Sequence, residues 1–533
     1  MNFNKKLAVA VSGAVLLMAG QVALADSATD IVDALVSKGV LTEEEGKLIT
    51  KGHTSKTSVT PVVKEKDGAF TLESANGRNS ISLTGRIHLD YRQNNLDTFN
   101  TDYTDRDSAT AADAFELRRA RLGVKGKFAK DFKYEIVGNL PGTATVDVAF
   151  VDYAKYDGAQ LRLGKFKQPF GLEQLTSSNN IDFMERSYVD QLAPGKKIGA
   201  MAFGEPKPGF TYAGSVFAMN DTEQSQNNDK ASFAGRSTLN FAQLMGNKDM
   251  VLHLGLAGFD SEYSITPTSS SSTAGATTQG SFLSYRTPGR GLSNIFRAQI
   301  GGETLTGATA QQSAAANGTS QIKSKALGLE GILAYNNFKI QGEFATADFK
   351  ADSGGATNSS TYSMPVAGTE TFSLDTKAWY AEALWLATGE KYADAYKGGA
   401  FSSIKPKNDF DPDNGKWGAW EFGLKYEEYK VDNMKVNQVT YGSRAQGTLS
   451  CSTNGTATSG YSSSATNAAA INSCESESRT YTAGIKWILN PNARVLANYS
   501  RTTFGNDWEH FDLGDTKLMK HEDILMVRSQ IAF

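Results

Sequence analysis

The feature that most constrains this chain is a period-two alternation of apolar and polar side chains that begins near Asp67. Between Ile81 and Arg92, apolar residues alternate with polar or charged ones for 12 residues, which is long for a strand of a soluble protein. An alternating segment presents one apolar face and one polar face, so the sequence predicts an all-β chain. The same period recurs at residues 119–128, 132–140, 210–219, 233–241, 251–259, 325–335, 338–349, 378–386, 417–426, 480–489, 494–502 and 524–533.

The lengths of the connections indicate how these strands close. Short turns at one end and long loops at the other are the layout of an outer-membrane barrel, with lipid outside and water in a charged lumen. A secreted β-sandwich or β-helix is the alternative, but sandwiches seldom carry arginines at alternate positions along so many strands. At roughly 25–30 residues per strand, the sequence predicts a transmembrane antiparallel β-barrel of about 16 strands. Short turns lie at 336–337 and 490–492, and long polar loops at 266–279, 305–320, 351–369 and 443–478.

The first 25 residues are typical of an export signal. Lys5 and Lys6 precede an apolar run at 7–18, and Ala23-Leu24-Ala25 forms a cleavage site of the A-x-A type. After residue 25 the sequence contains no run of about 18 apolar residues, so it predicts no transmembrane helix. The sequence therefore predicts export through a signal peptide at residues 1–25.

The next segment, residues 26–66, predicts a short periplasmic helical part followed by a polar linker. Thr42 and Glu45 have the spacing of a helix capping box, in which each side chain bonds the backbone of the other. A segment of this size is too small to fold as an independent domain. The barrel then occupies residues 67–533.

Charge and cysteine content exclude several classes of function. The formal net charge is −3, so nothing indicates nucleic-acid binding. Cys451 and Cys474 flank a polar loop and predict one disulfide formed in an oxidising compartment. The five histidines follow no catalytic or metal-binding spacing, so we expect no enzyme, no metal site and no cofactor. They are His53, His88, His253, His510 and His521.

One long connection differs from the polar loops. It follows the strand that begins at Gln160, breaks at Pro169 and Gly171, and ends near residue 197. A loop of this length that carries many apolar residues has side chains to bury. We expect residues 168–197 to fold into the barrel and line its narrowest point, although a packed surface loop is the simpler alternative.

Several motifs resemble the phosphate-selective porins O and P of Gram-negative bacteria. The resemblance implies a homotrimeric porin of 16 strands in the outer membrane, with its third extracellular loop folded into the lumen. It also implies passage of small anions such as phosphate. The chain ends in Phe533 on an alternating strand, which resembles the insertion signal of outer-membrane barrels. The motifs lie at 115–124, 163–173, 176–178, 183–187, 379–380, 386–390, 401–406, 418–421, 484–490 and 528–533.

Basic residues concentrate between Arg118 and Lys197, where fourteen Lys and Arg stand against nine Asp and Glu. A row of cationic side chains of moderate strength lets an oxyanion step through a pore without being trapped. By strand phase, we expect Arg118 at the upper rim and Lys165, Lys167 and Arg186 in the loop. The candidate pore-lining residues are Arg86, Arg118, Arg119, Arg121, Lys125, Lys127, Arg162, Lys165, Lys167 and Arg186.

Two alternatives to an anion-preferring porin stay open. A general or cation-preferring porin would balance the basic residues with Glu330, Glu343, Glu382 and Glu421. A structural barrel that tethers the cell wall through its N-terminal helices is the other. Gln174 stands where the resemblance implies a lysine in phosphate-specific members, so a broader anion pore is compatible with the sequence.

Overall fold

The computed structural model describes residues 32, 35–38, 40–49, 60–66, 69–94, 114–220, 230–265, 280–291, 295–301, 320–353, 370–437, 448–453, 476–512 and 515–533. The signal segment predicted at residues 1–25 lies outside these ranges and stays a prediction. So does the disulfide, because Cys474 is outside them. Within the described ranges, no helix is long and apolar enough to cross a membrane.

Twenty-three strands are present in the described residues, and sixteen of them close into an antiparallel barrel. In chain order they are β1 (Val62–Lys66), β2 (Ala69–Glu73), β3 (Ser80–Asn94), β4 (Ala114–Phe128), β5 (Phe132–Asn139), β6 (Thr145–Tyr156), β7 (Ala159–Lys167), β8 (Lys196–Lys207), β9 (Phe210–Phe217), β10 (Ser232–Asn240), β11 (Met250–Ile265), β12 (Gly280–Tyr285), β13 (Phe296–Gly301), β14 (Ser320–Tyr335), β15 (Phe338–Ser353), β16 (Glu370–Leu386), β17 (Tyr396–Lys397), β18 (Ala400–Phe401), β19 (Ala419–Asn437), β20 (Thr448–Thr453), β21 (Ser476–Asn490), β22 (Ala493–Asp512) and β23 (Asp515–Ala532).

The barrel closes where β23 pairs with β3, so the predicted fold class and strand number are confirmed. Gly85 and Phe533 exchange backbone hydrogen bonds of 2.9 and 3.1 Å at this seam. The hairpin of β1 and β2 extends β3 at the periplasmic end, while β12, β13 and β20 form a separate sheet of the loop regions. The last residue of the chain therefore takes part in closing the barrel.

The predicted alternation matches the two faces of the wall. On β3, Ile81, Ile87 and Leu89 are exposed outwards, whereas His88 and Asp90 are fully buried towards the interior. Lipid accepts the apolar face because each backbone N–H and C=O is paired within the closed sheet. The period-two pattern is thus the consequence of a wall with lipid on one side and a polar interior on the other.

The wall is not equally tall all the way round. Strands β5 and β9 have eight residues each, whereas β14 to β16 and β19 to β23, apart from the short loop strand β20, have 15 to 20. Most periplasmic turns are short, but the connection 387–418 between β16 and β19 is long. It contains a helix at Tyr392–Ala395, the β17–β18 ladder and a 3₁₀ turn at Pro412–Asn414, and part of it enters the barrel.

The connection between β7 and β8 lies inside the barrel. It contains a short helix at Leu172–Leu175 and a 3₁₀ helix at Tyr188–Leu192. Phe170, Leu172 and Tyr188 are fully buried against the inner faces of the long strands. This connection, residues 168–195, is called the inner loop below.

The N-terminal segment has local helical structure, with residues 43–49 in a helix. The backbone N–H of Thr42 donates to Glu45 at 2.9 Å, and the N–H of Glu45 donates to the Thr42 hydroxyl at 3.2 Å. This reciprocal pair is the predicted capping box, which satisfies donors that a helix start leaves open.

Candidate functional site: the pore constriction

A cavity of about 1280 Å³ separates the inner loop from the opposite wall of the barrel. The wall from β3 to β10 forms one side, and the turn 387–418 contributes from the periplasmic side. Ten basic side chains line the cavity against four acidic ones, which are Glu135, Asp147, Asp157 and Glu205. The basic residues are Arg86, Arg119, Arg121, Lys133, Arg162, Lys167, Arg186, Lys196, Arg236 and Lys397.

A bulge in β4 turns two consecutive arginines towards the interior. Arg119 pairs with His88 of β3, but the next partner of β3 is Leu117, so Arg118 is an additional residue in the strand. Arg118 then reaches the inner loop, where its Nε and Nη2 atoms donate to the Glu185 carboxylate at 3.0 and 3.1 Å. Period two does not foresee this bulge, which brings the Arg118 side chain into contact with the inner loop; its expected position at the rim stays a prediction.

Arg86 and Arg119 have neutral partners. Arg86 Nη1 donates to the Ser178 hydroxyl at 2.8 Å, and Arg119 Nη1 lies 3.4 Å from His88 Nδ1. Neither guanidinium has a carboxylate within 4.0 Å in the described part of the chain, and the Nε atom of each has no hydrogen-bond partner there. These two charges are consequently available to a mobile anion in the cavity.

Other predicted cations are already paired with carboxylates. Arg121 Nη1 lies 2.9 Å from Asp147, which also binds Lys196. Arg162 donates twice to Asp152, at 2.7 and 2.8 Å, and its guanidinium carbon lies 3.7 Å from the centre of the Phe150 ring. Such pairs determine the shape and potential of the wall, but the carboxylate cancels most of the electric field of the cation that it binds.

The lysines predicted for the loop belong to strand β7. Lys165 pairs with Ala149 and Ile198, in phase with the exposed Leu163, so its expected position in the lumen is wrong. Lys167 does enter the interior, where its Nζ donates to the carbonyl oxygens of Gln174, Leu175 and Thr176.

Lys167 therefore caps the end of the Leu172–Leu175 helix. Arg186 acts on the same segment, donating to the carbonyl oxygens of Glu173 and Thr176 at 2.8 Å each. Lys125 and Lys127 continue the inward phase of β4 and are exposed, but they lie outside the cavity lining.

Glu185 fixes the inner loop to the wall. Its Oε1 atom lies 3.0 Å from Arg92, 3.0 Å from Arg118 and 2.9 Å from Arg528. Burial by itself raises the pKa of Glu185, but Arg118 and Arg528 outweigh burial and hold the pKa well below its ordinary value. The carboxylate is thus ionised at neutral pH and binds three strands to the loop.

Two further contacts hold the loop on the same side. Asp182 lies 2.7 Å from Lys339 and 3.5 Å from Lys486, and these lysines overcome burial and lower its pKa to about 2. Glu343 accepts hydrogen bonds from the backbone N–H groups of Leu172 and Glu173 at 2.7 Å each, at the start of the short helix.

The four glutamates considered as counter-charges do not line the cavity. All four are nearly fully buried: Glu330 binds Arg236, Glu343 binds the inner loop, Glu421 binds Lys486, and Glu382 lies beside Asp182. Their carboxyl groups are engaged in contacts that hold the loop and the turn 387–418.

Four cavity cations were not among the predicted candidates. Lys133 follows the alternation of β5 and could have been found from phase alone, and Lys196 starts β8. Arg236 donates to the carbonyl of Gly399 at 2.7 Å, and Lys397 comes from the same turn. Arg236 follows the inward phase of β10 and could also have been found from phase, whereas no periodic signal marks a periplasmic turn that folds back into a barrel, so Lys397 has no signature in the sequence.

Comparison with known proteins agrees with this architecture. Residues 81–533 match the model of a family described as phosphate-selective porin O and P. Porin O of Pseudomonas aeruginosa is 24% identical over 460 residues, covering 82% of this chain and 86% of that protein.

Two solved structures are also similar. Outer-membrane expressed OmpT of Vibrio cholerae has a TM-score of 0.43 and 8% identity, covering 89% of this chain and all of that one. An anion-selective porin from Comamonas acidovorans has a TM-score of 0.40 and 12% identity, covering 85% of this chain and all of that one. At TM-scores below 0.5, these two similarities support no conclusion about this chain.

Proposed function

Because this chain belongs to the family of phosphate-selective porins O and P, we propose that it conducts small oxyanions such as phosphate passively across the Gram-negative outer membrane. The membrane location and the porin class follow from the family and the barrel. The preference for oxyanions is carried by one observation: the cavity lining holds ten basic side chains against four acidic ones.

Arg86 and Arg119 are the central residues of the proposal. A guanidinium binds an oxyanion through two parallel hydrogen bonds, and these two have no carboxylate in reach within the described residues. A permeating anion must also leave, which requires several sites of moderate strength rather than one deep site. The paired cations Arg121 and Arg162 then contribute a weaker background potential.

The loop position occupied by Gln174 supports a broad preference rather than tight phosphate binding. Gln174 lines the cavity and supplies a neutral amide, which interacts with an anion less strongly than an ammonium does. Lys167, the nearest lysine along the chain, is turned towards carbonyl oxygens. We therefore expect phosphate to compete with chloride without blocking the pore completely.

The low part of the wall supports a homotrimer. Strands β5 and β9, with eight residues each, are less than half as long as β22, which has 20, and their short side can be covered by neighbouring barrels. Chemical cross-linking in native membranes tests this assembly: a ladder that ends at three chains is expected, and a monomer alone would contradict it.

The conducting proposal is tested by the reversal potential of a planar bilayer under a KCl gradient, followed by phosphate titration. Wild type should reverse on the anion side. The double variant Arg86→Gln with Arg119→Gln should lose anion preference roughly five- to thirtyfold, since each charge contributes about 0.5–1 kcal/mol at a few ångströms in water.

A double variant of equal charge change provides the control. Lys125→Gln with Lys127→Gln removes two inward cations outside the cavity lining, so a smaller shift is expected. A wild-type reversal near zero or on the cation side would indicate a general porin. An equal shift in both double variants would show that the constriction is not where selectivity arises.

A further inference from the structure

His88 is a fully buried histidine on the inner face of β3, directly opposite Arg119 of β4. Side chains opposite each other in an antiparallel sheet have Cβ atoms about 5 Å apart, so the two are close neighbours. The imidazole makes a contact through each ring nitrogen: Nδ1 lies 3.4 Å from Arg119 Nη1, and Nε2 lies 3.1 Å from Asn179 Oδ1 of the inner loop. His88 thus connects the inner loop to one of the two guanidinium groups of the proposed anion site.

The two contacts of His88 determine where the ring carries its proton. A guanidinium has only donors, so the contact with Arg119 requires an unprotonated Nδ1 that accepts. A neutral imidazole then carries its proton on Nε2, which donates to the amide oxygen of Asn179. One neutral tautomer therefore satisfies both neighbours, whereas a protonated ring would turn a donor towards Arg119.

Asn179 is itself held by two other strands of the barrel. Its backbone carbonyl accepts a hydrogen bond from Arg494 Nη1 of β22 at 2.7 Å and another from Gln530 Nε2 of β23 at 3.0 Å. Neither of these hydrogen bonds involves Arg119. The amide oxygen that orients the imidazole therefore belongs to a segment of the inner loop that is fixed to the wall independently of the pore cation.

Arg119 also feels charged groups that would move it if His88 were absent. Glu185 attracts its guanidinium, whereas Arg118 and Arg528 repel it. Glu185 already binds both of these arginines, and a guanidinium that turned towards it as well would be neutralised. His88 offers an acceptor without a charge, so it can hold Arg119 in the lining of the cavity while leaving its charge uncancelled.

We propose that His88 is a positioning residue for anion selectivity: its neutral imidazole holds Arg119 Nη1, so that the Nε side of the guanidinium stays open to a permeating anion. The Nε atom of Arg119 has no hydrogen-bond partner in the described part of the chain, although the residue is only 6% exposed. A buried donor of this kind is expected to have a partner, and a passing oxyanion supplies one. The inference rests on the proposed function, because it concerns how Arg119 meets a solute.

Two amide side chains separate the roles of the two ring nitrogens. Asn places its oxygen near the position of Nδ1, whereas Gln places its amide group near the position of Nε2. The experiment compares the reversal potentials of wild type, His88→Asn and His88→Gln in planar bilayers under a KCl gradient. His88→Asn should keep the anion preference of wild type, because an acceptor still faces Arg119. His88→Gln should lose about two- to fivefold, as Arg119→Gln does, since that is the effect of one charge.

A double variant tests whether His88 acts through Arg119. His88→Gln combined with Arg119→Gln should lose no more anion preference than Arg119→Gln alone, because the group to be positioned is already absent. His521→Leu is the control for removal of a histidine, since His521 lies beside Asp523 and does not line the cavity. Its anion preference should equal that of wild type.

Folding and stability are measured on the same variants. Heat-modifiable migration on gels checks that each barrel is folded, and thermal unfolding in detergent gives its stability. If His88→Gln does not fold, His88→Leu replaces it, because Leu also presents no acceptor to Arg119 and the same loss is expected. A purely structural role would lower the unfolding temperature of both amide variants and leave the reversal potential unchanged.

Three results would each overturn the inference while leaving an anion-preferring pore. They are a wild-type reversal potential in His88→Gln, equal losses in the two amide variants, and losses that multiply in the double variant. A wild-type reversal near zero or on the cation side would instead overturn the proposed function, and the inference with it.

Discussion

The two sides of the barrel interior use the same residue types in opposite ways. Where the inner loop contacts the wall, here called the covered side, cations and carboxylates are closely matched, as in the contacts of Glu185 and Asp182. Around the cavity, here called the open side, cations exceed carboxylates. Charged side chains in a barrel lumen therefore stabilise the structure where they have an oppositely charged partner, and they act on solutes where they have none.

Burial explains why matching is needed on the covered side. An ion that loses water must recover the energy from a partner and from additional hydrogen bonds. Glu185 does so with three arginines, whereas Arg86 and Arg119 line the cavity and rely on neutral partners. The covered side is therefore expected to be sensitive to loss of one charge, and the open side to be tolerant.

The largest effect is expected for Glu185→Gln. The change removes the carboxylate that Arg118 binds and leaves Arg92 and Arg528 with Asp90 as their shared carboxylate in a buried site, which costs about 3–5 kcal/mol of unfolding free energy. Thermal unfolding in detergent measures the loss, and single-channel recordings should show a noisier current as the loop detaches. Glu135→Gln, a cavity-lining carboxylate on the open side, is the matched control and should be nearly neutral.

Acid should weaken the covered side next. The pKa values of Glu185 and Asp182 are lowered in the folded protein, so their stabilisation is complete above the unfolded values of about 4. It is lost as pH falls through the folded pKa values. Glu173 acts in the opposite direction, because burial raises its pKa.

We therefore expect the unfolding temperature to be steady from neutral pH to about pH 5 and to fall in stronger acid. Melting curves across this range give the profile. In Glu185→Gln, the acid-dependent part of the fall should shrink; an identical profile in the variant would show that other groups control acid unfolding.

A smaller effect is expected for Lys167→Met, which removes the ammonium that binds three carbonyl oxygens at the end of the Leu172–Leu175 helix. The carbonyl oxygens of Gln174 and Leu175 lose this donor, whereas that of Thr176 keeps Arg186, so the change costs about 1–3 kcal/mol. Lys125→Met is the control, since Lys125 is exposed and outside the cavity lining. If Lys167→Met abolished anion preference without loss of stability, Lys167 would be an anion site rather than a cap.

The sequence predicted the parts of the molecule that follow from periodicity. Lipid on one side and polar groups on the other impose period two, so the fold class, the strand number and the inward phase of Arg119 and Arg121 were accessible. The basic excess was also visible, because most cavity cations lie on strands of regular phase.

Departures from regular phase were not accessible. Arg118 and Asp147 enter the interior through bulges in β4 and β6, and Lys165 follows its strand to the other side. Pairing is equally hidden, because it depends on which strands the inner loop meets. A count of charged residues along the chain does not give the electric field in the pore, because that field depends on the charges left after ion pairs have formed in the folded barrel.

The smallest effect on stability is expected for Arg119→Gln, and it is measured against the neighbouring residue Arg118. Arg118→Gln removes a bidentate contact to the Glu185 carboxylate and should cost about 2–3 kcal/mol of unfolding free energy. Arg119→Gln should change it by less than about 1 kcal/mol, because Arg119 is only 6% exposed, no carboxylate of the described residues lies in reach of it, and the loss of its charge relieves desolvation. Selectivity should respond in the reverse order, with Arg119→Gln shifting the reversal potential more than Arg118→Gln. Paired melting and bilayer measurements on the two variants decide the matter; equal losses of stability would remove the distinction between the matched and unmatched sides of the lumen.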